Sequence, residues 1–101
     1  MKRTERISAM EKILDDSNAM LKEVDAALEK YRAMQEKIEE LDLYYGSKEW
    51  FRDLKADEEG KLPADLKRGV LSEDGIFDMI THNREVLADM LDLAQEFVHN
   101  H

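Results

Sequence analysis

The stretch from Lys55 to Leu66, KADEEGKLPADL, is acidic and centred on a glycine, as calcium-binding turns are. With Gly60 at the sixth position of an EF-hand loop, Asp57 and Glu59 fall at the third and fifth, where oxygen ligands belong. The same register puts Lys55 first and Leu66 last, where an oxygen ligand and a bidentate carboxylate are required. Calcium is therefore not expected. Glu96 and His99 have the Glu-x-x-His spacing of di-iron bundles, but such a centre takes two of these motifs and two further inward carboxylates. This chain offers one motif, at its C-terminal end. The closing His99-Asn100-His101 lacks the ββα-metal context that a nuclease of that signature needs. His82, with Asp78 and Glu85 in reach along a helix, reads as a surface or boundary histidine. Ser47, Ser72, Asp53 and His82 are residue types a hydrolase uses. No nucleophile elbow, phosphate-binding glycine loop or metal motif accompanies them, and helix capping accounts for both serines. The sequence thus points to no catalytic residue, no metal site and no cofactor.

What remains is a corner rich in aromatic and charged residues: Tyr44, Tyr45, Trp50, Asp53, Lys67 and Arg68. Lys67 and Arg68 precede a helix N-terminus, a place that attracts anions. Glu73 and Asp74 already occupy that terminus, so the two cations are expected to pair with acidic neighbours instead. Tyr44, Tyr45, Trp50, Phe51 and Leu54 carry large apolar area. The tyrosines and the tryptophan also keep polar tips that suit an edge meeting water. They are expected to plug the open end of a helical core, with Trp50 largely buried.

The elements that position this corner follow from hydrophobic period. Residues 4–45 contain no glycine and no proline. Apolar residues recur at Ile7, Met10, Leu14, Leu21, Val24, Leu28, Tyr31, Met34, Ile38, Leu41 and Tyr45, in steps of three and four with Ser17 filling one slot. That is a helical period, widened by Ile13, Met20 and Ala27. Two successive steps of three between Leu28 and Met34 form a stammer, which a long regular coiled coil avoids. Gly46 is the natural left-handed residue after this helix, and Ser47 can cap a short helix over residues 48–56. Gly60 and Pro63 turn the chain, and Pro63 can start one helical turn ending at Gly69. Ser72 is expected to cap the last helix, with Leu71 and Ile76 as a hydrophobic staple across its start. An apolar stripe then runs through Ile80, Leu87, Leu91, Ala94 and Val98, broadened by Phe77, Met90 and Phe97.

The totals bound the function class. The chain has 101 residues, one domain's worth, and a net charge of −9. Affinity for nucleic acid comes from cations displacing phosphate counterions, and no basic face is visible, so direct nucleic-acid binding is not expected. There is no cysteine, which removes disulfides, thiolate nucleophiles and Cys-ligated metals. No apolar run approaches the roughly 18–20 residues of a membrane span. The N-terminal segment has no apolar core of a signal peptide. A cytoplasmic protein that makes no membrane contact is the expectation.

Over nearly its whole length, including the Glu/Leu-rich first helix, the chain resembles a small uncharacterised family of bacterial proteins, a domain of unknown function found mostly in Firmicutes, with its specific motifs confined to the corner. The resemblance rests on Tyr44-Tyr45-Gly46-Ser47, Trp50, Asp53, Leu62-Pro63, and the run LKRGVLSED from Leu66 to Asp74. It implies an all-helical cytoplasmic protein and carries over no activity. Gly75 departs from the helix former that suits a first turn, and so marks either a loose helix start or a close backbone approach.

The expected fold is all-α: a long antiparallel helical hairpin with a compact short-helix corner, bundle-like, with dimerisation as the step that would complete it. It is read as one domain over residues 1–101, with helices over about 4–45 and 73–98 and a corner over about 47–69. If the last helix returns along the first, it runs out near the middle. The stretch around Ile7, Met10, Ile13 and Leu14 is then left apolar and uncovered. A second copy would cover it, so a homodimer is expected, or a complex with another protein. The function that follows is a non-catalytic protein-interaction or structural module. Two alternatives stand beside it. One is a small-ligand-binding protein or enzyme lined by Tyr44, Tyr45, Trp50, Asp53, Lys67 and Arg68. The other is an acidic antagonist of a nucleic-acid-binding partner.

Overall fold

The computed structural model describes residues 2–98. His99 and the terminal His-Asn-His lie outside them. Among the described residues all regular structure is helical: α1 (Arg3–Tyr44), α2 (Lys48–Glu58), a 3₁₀ turn (Gly69–Leu71) and α3 (Gly75–Val98), with no strand. The all-α expectation is met. The chain divides into two units, one ending at Lys37 and the other beginning at Ile38.

From Arg3 onwards the first unit is helix, and its composition explains why: Ala, Leu, Met, Glu, Lys, Gln and Arg, the residues that lose least in a helix, dominate it. Lys12 and Asp16, one turn apart, form an ion pair of 2.9 Å on its surface. No residue of α1 is buried, and every residue from 10 to 30 is exposed. Apolar side chains on this helix are exposed well beyond Ile7 and Leu14. Leu21 is 60% exposed, and Val24, Leu28 and Met34 are exposed as well.

The second unit is built from local stop and start signals. Gly46 takes the left-handed conformation (φ 80°) that ends α1. Ser47 then accepts a hydrogen bond from the Trp50 amide at 3.2 Å, the N-cap bond of α2. α2 runs on to Glu58 rather than stopping at Ala56. It closes with a Schellman motif around left-handed Gly60: the Lys61 amide bonds to the Ala56 carbonyl at 2.9 Å and the Gly60 amide to that of Asp57 at 3.0 Å.

The helical turn expected from Pro63 to Gly69 does not form. A single turn, with the Leu66 amide on the Pro63 carbonyl at 3.2 Å, stands in its place, and the short helix comes later, at Gly69–Leu71. A turn of helix is costly to nucleate, and Leu66 is left exposed, so no burial offsets that cost. Helix α3 starts at Gly75 rather than at residue 73, although the Ser72 hydroxyl still accepts from the Gly75 amide at 3.0 Å as an N-cap does. Leu71 and Ile76 are both buried, as a staple across this start requires. With Trp50 they are the buried apolar residues among those described. Beyond this core the stripe of α3 stays exposed at Leu87, Met90, Leu91, Phe97 and Val98.

Candidate functional site

The corner forms where α2 and the 3₁₀ turn meet. Trp50 sits one turn into α2, where the Ser47 cap fixes the backbone. It is 8% exposed. Its indole Nε1–H donates to the Val70 carbonyl at 2.9 Å, which ties α2 to the 3₁₀ turn across twenty residues of sequence. Tyr45 and Phe51 flank it edge-to-face, with centroids at 5.1 and 5.0 Å, the arrangement ring quadrupoles favour. Phe51 itself is largely exposed, so it shields Trp50 from one side without joining the core.

The remaining polar groups are mostly paired with one another. The Tyr44 hydroxyl donates to Asp53 Oδ2 at 2.6 Å. That hydrogen bond, with lesser help from desolvation and the carboxylate's charge, pushes the Tyr44 phenol up to about 12 from its usual 10.0. The Tyr45 hydroxyl lies 3.4 Å from the Glu73 carbonyl, a long contact at the start of α3. Arg68 Nη1 meets Asp57 Oδ1 at 2.8 Å, so this cation pairs with an acidic neighbour across the turn. Lys67 faces elsewhere. It lines an open groove of about 430 Å³ with Leu41, Gly69, Val70, Gly75, Ile76 and Met79.

One glycine permits a close backbone approach beside that groove. The Ser72 hydroxyl donates to the Gly69 carbonyl at 2.7 Å and accepts from the Gly75 amide, so the three residues interlock. A Cβ on Gly75 would strike the Gly69 carbonyl oxygen and stand 2.7 Å from Ser72 Oγ. The glycine at this helix start thus serves a close backbone approach. The corner brings Tyr44 to Asp53 and Tyr45 to Trp50, while Arg68 turns to Asp57 and Lys67 to the groove. The sequence did not reveal Asp57 as a partner or Leu41, Val70 and Met79 as groove walls. Gly75, standing where a helix former suits a first turn, was the available signal for the close approach.

The corner's aromatic and polar groups are largely tied to one another. Its tyrosine is held neutral by a carboxylate, its arginine is neutralised, and its tryptophan is buried. Among the described residues no three His, Asp or Glu side chains cluster as a metal site, and no helix is long and apolar enough to cross a membrane. Comparison with curated proteins and with solved structures finds no match. A family model described as a domain of unknown function, DUF4298, matches residues 7–93, which takes in the greater part of α1, the whole corner and most of α3. The chain belongs to the DUF4298 family.

Proposed function

We propose that this chain is a non-catalytic protein-interaction or structural module, working in the cytoplasm, where a strongly charged chain without disulfides needs no oxidising environment. The observation that carries this is the face of α1: 42 residues of helix with a continuous apolar stripe and no buried residue. Contiguous apolar patches of this kind mark interaction sites. The small core points the same way. Trp50, Leu71 and Ile76 are few anchors for a chain of this length, so covering the exposed stripes of α1 and α3 is the natural source of further stability. The pairing of the α1 stripe with a second chain belongs to this proposal.

The test is the size of the assembly that contains the chain in extracts of its native source. The wild type should migrate well above the 11.8 kDa of one chain. Leu21→Glu, on an exposed residue, should fall out of that assembly while keeping its helix content. A wild type at single-chain mass, or a variant that stays in the assembly, would contradict the proposal.

A second function is favoured by one feature, the groove beside Lys67. Its apolar walls and single cation suit a small anionic ligand with an apolar body. Thermal stabilisation by such a molecule, lost in Lys67→Ala, would support it.

A further inference from the structure

We infer that the partner of the α1 face is α1 of a second copy, paired antiparallel about a two-fold axis near Lys22 and Glu23. This rests on the interaction-module proposal and adds the identity and direction of the partner.

The first argument is charge. Residues 2–12 carry four cations (Lys2, Arg3, Arg6 and Lys12) against Glu5 and Glu11. Residues 36–42 carry four acids (Glu36, Glu39, Glu40 and Asp42) against Lys37. This runs against the helix's own macrodipole, which favours acids at the N-terminal end and cations at the C-terminal end; the last turn of α1 has no basic residue at all. An antiparallel copy removes both mismatches. It lays the acidic end of one helix beside the basic end of the other, with Arg3 level with Asp42 and Arg6 level with Glu39. A parallel copy would set basic end on basic end and acidic on acidic.

The second argument is register. In that alignment the apolar stripe meets itself at three levels, Ile7 with Ile38, Leu14 with Tyr31, and Leu21 with Val24, while Leu28 lies level with Ser17 and Met34 with Glu11. The stammer between Leu28 and Met34 faces residues 11–17, a stretch that includes Ile13 and Leu14.

The third argument is area. A helix of this length is roughly 60 Å long and about 10–12 Å across. The paired faces then cover roughly 600–700 Å² per copy, most of the ~800 Å² per partner of a standard stable interface. A two-fold arrangement also closes, so it does not polymerise.

The test uses the purified full chain, which has no native cysteine to confuse it. Single cysteines are introduced and exposed to a short thiol-specific crosslinker. Leu21→Cys, near the axis, should crosslink to itself. Ile7→Cys should not, because its counterpart lies 31 residues away along the pair, roughly 46 Å. A mixture of Ile7→Cys and Ile38→Cys chains should crosslink to each other. Ile7→Cys dimers would overturn the antiparallel direction. Charge reversal gives an independent reading on exposed residues. Arg3→Glu with Arg6→Glu should weaken association roughly tenfold or more at low salt. Adding Glu39→Arg and Asp42→Arg should restore it, and failure to restore would overturn the register. A purified chain that is monomeric would overturn self-pairing, while an assembly in native extracts that Leu21→Glu disrupts would leave the interaction module standing with a different partner.

Discussion

Replacing Trp50 by alanine removes the side chain on which the corner closes. A tryptophan carries roughly 150–250 Å² of surface, and Trp50 is 8% exposed, so about 200 Å² returns to water. At ~25 cal/mol per Å² that is about 5 kcal/mol. A realistic denatured chain already hides some of this area, which brings the figure to ~3–4 kcal/mol. The Val70 carbonyl also loses its donor, worth ~1 kcal/mol. The expected loss is therefore ~4 kcal/mol, within the ~3–5 kcal/mol seen for large aromatics cut back to alanine. Trp50→Phe keeps most of the area and loses the indole N–H, so it should cost ~1–2 kcal/mol. Urea unfolding followed by circular dichroism measures both, at matched chain concentration because association shifts apparent stability. As the sole tryptophan, Trp50 should emit in the wild type as a buried indole. A loss below ~1 kcal/mol for Trp50→Ala, or equal losses for the two variants, would refute the role of Trp50 as the closing residue.

Gly75→Ala should destabilise by ~1–3 kcal/mol as an overpacked contact, although replacing a helical glycine by alanine ordinarily stabilises by up to ~1 kcal/mol; a raised melting temperature would show that the approach to Gly69 is not tight. Tyr44 should ionise near pH 12, a late phase in the near-ultraviolet absorbance titration that Tyr44→Phe removes. Because its folded pKa lies above the unfolded value, the contact with Asp53 adds stability that is full below about pH 10 and is lost as pH rises towards about 12. Stability that is flat across that window, or that changes equally in Tyr44→Phe, would contradict the contact.

The parts of this fold that show in the sequence are those set by neighbouring residues. Gly46, Ser47 and Gly60 act within a turn of their own position, where backbone φ and one capping oxygen decide the outcome. The burial of Trp50 was legible because a lone tryptophan one turn past a cap, four residues from Leu54, has one apolar face to hide. Pro63 misled because a proline permits a helix start but does not stabilise the turn that follows. The groove beside Lys67 was hidden because it depends on bringing Leu41 of α1 near Met79 of α3, a distant pairing without local pattern. A helical stripe shows that a face wants covering, not which chain covers it.

The mass of the purified chain in solution tests the central claim most directly. Light scattering at micromolar concentration should give about twice the 11.8 kDa of a single chain. That mass should fall towards one chain in Leu14→Glu or Leu21→Glu, both on the exposed face of α1. A wild type that remains at 11.8 kDa would contradict the claim that the face of α1 is covered by a second copy.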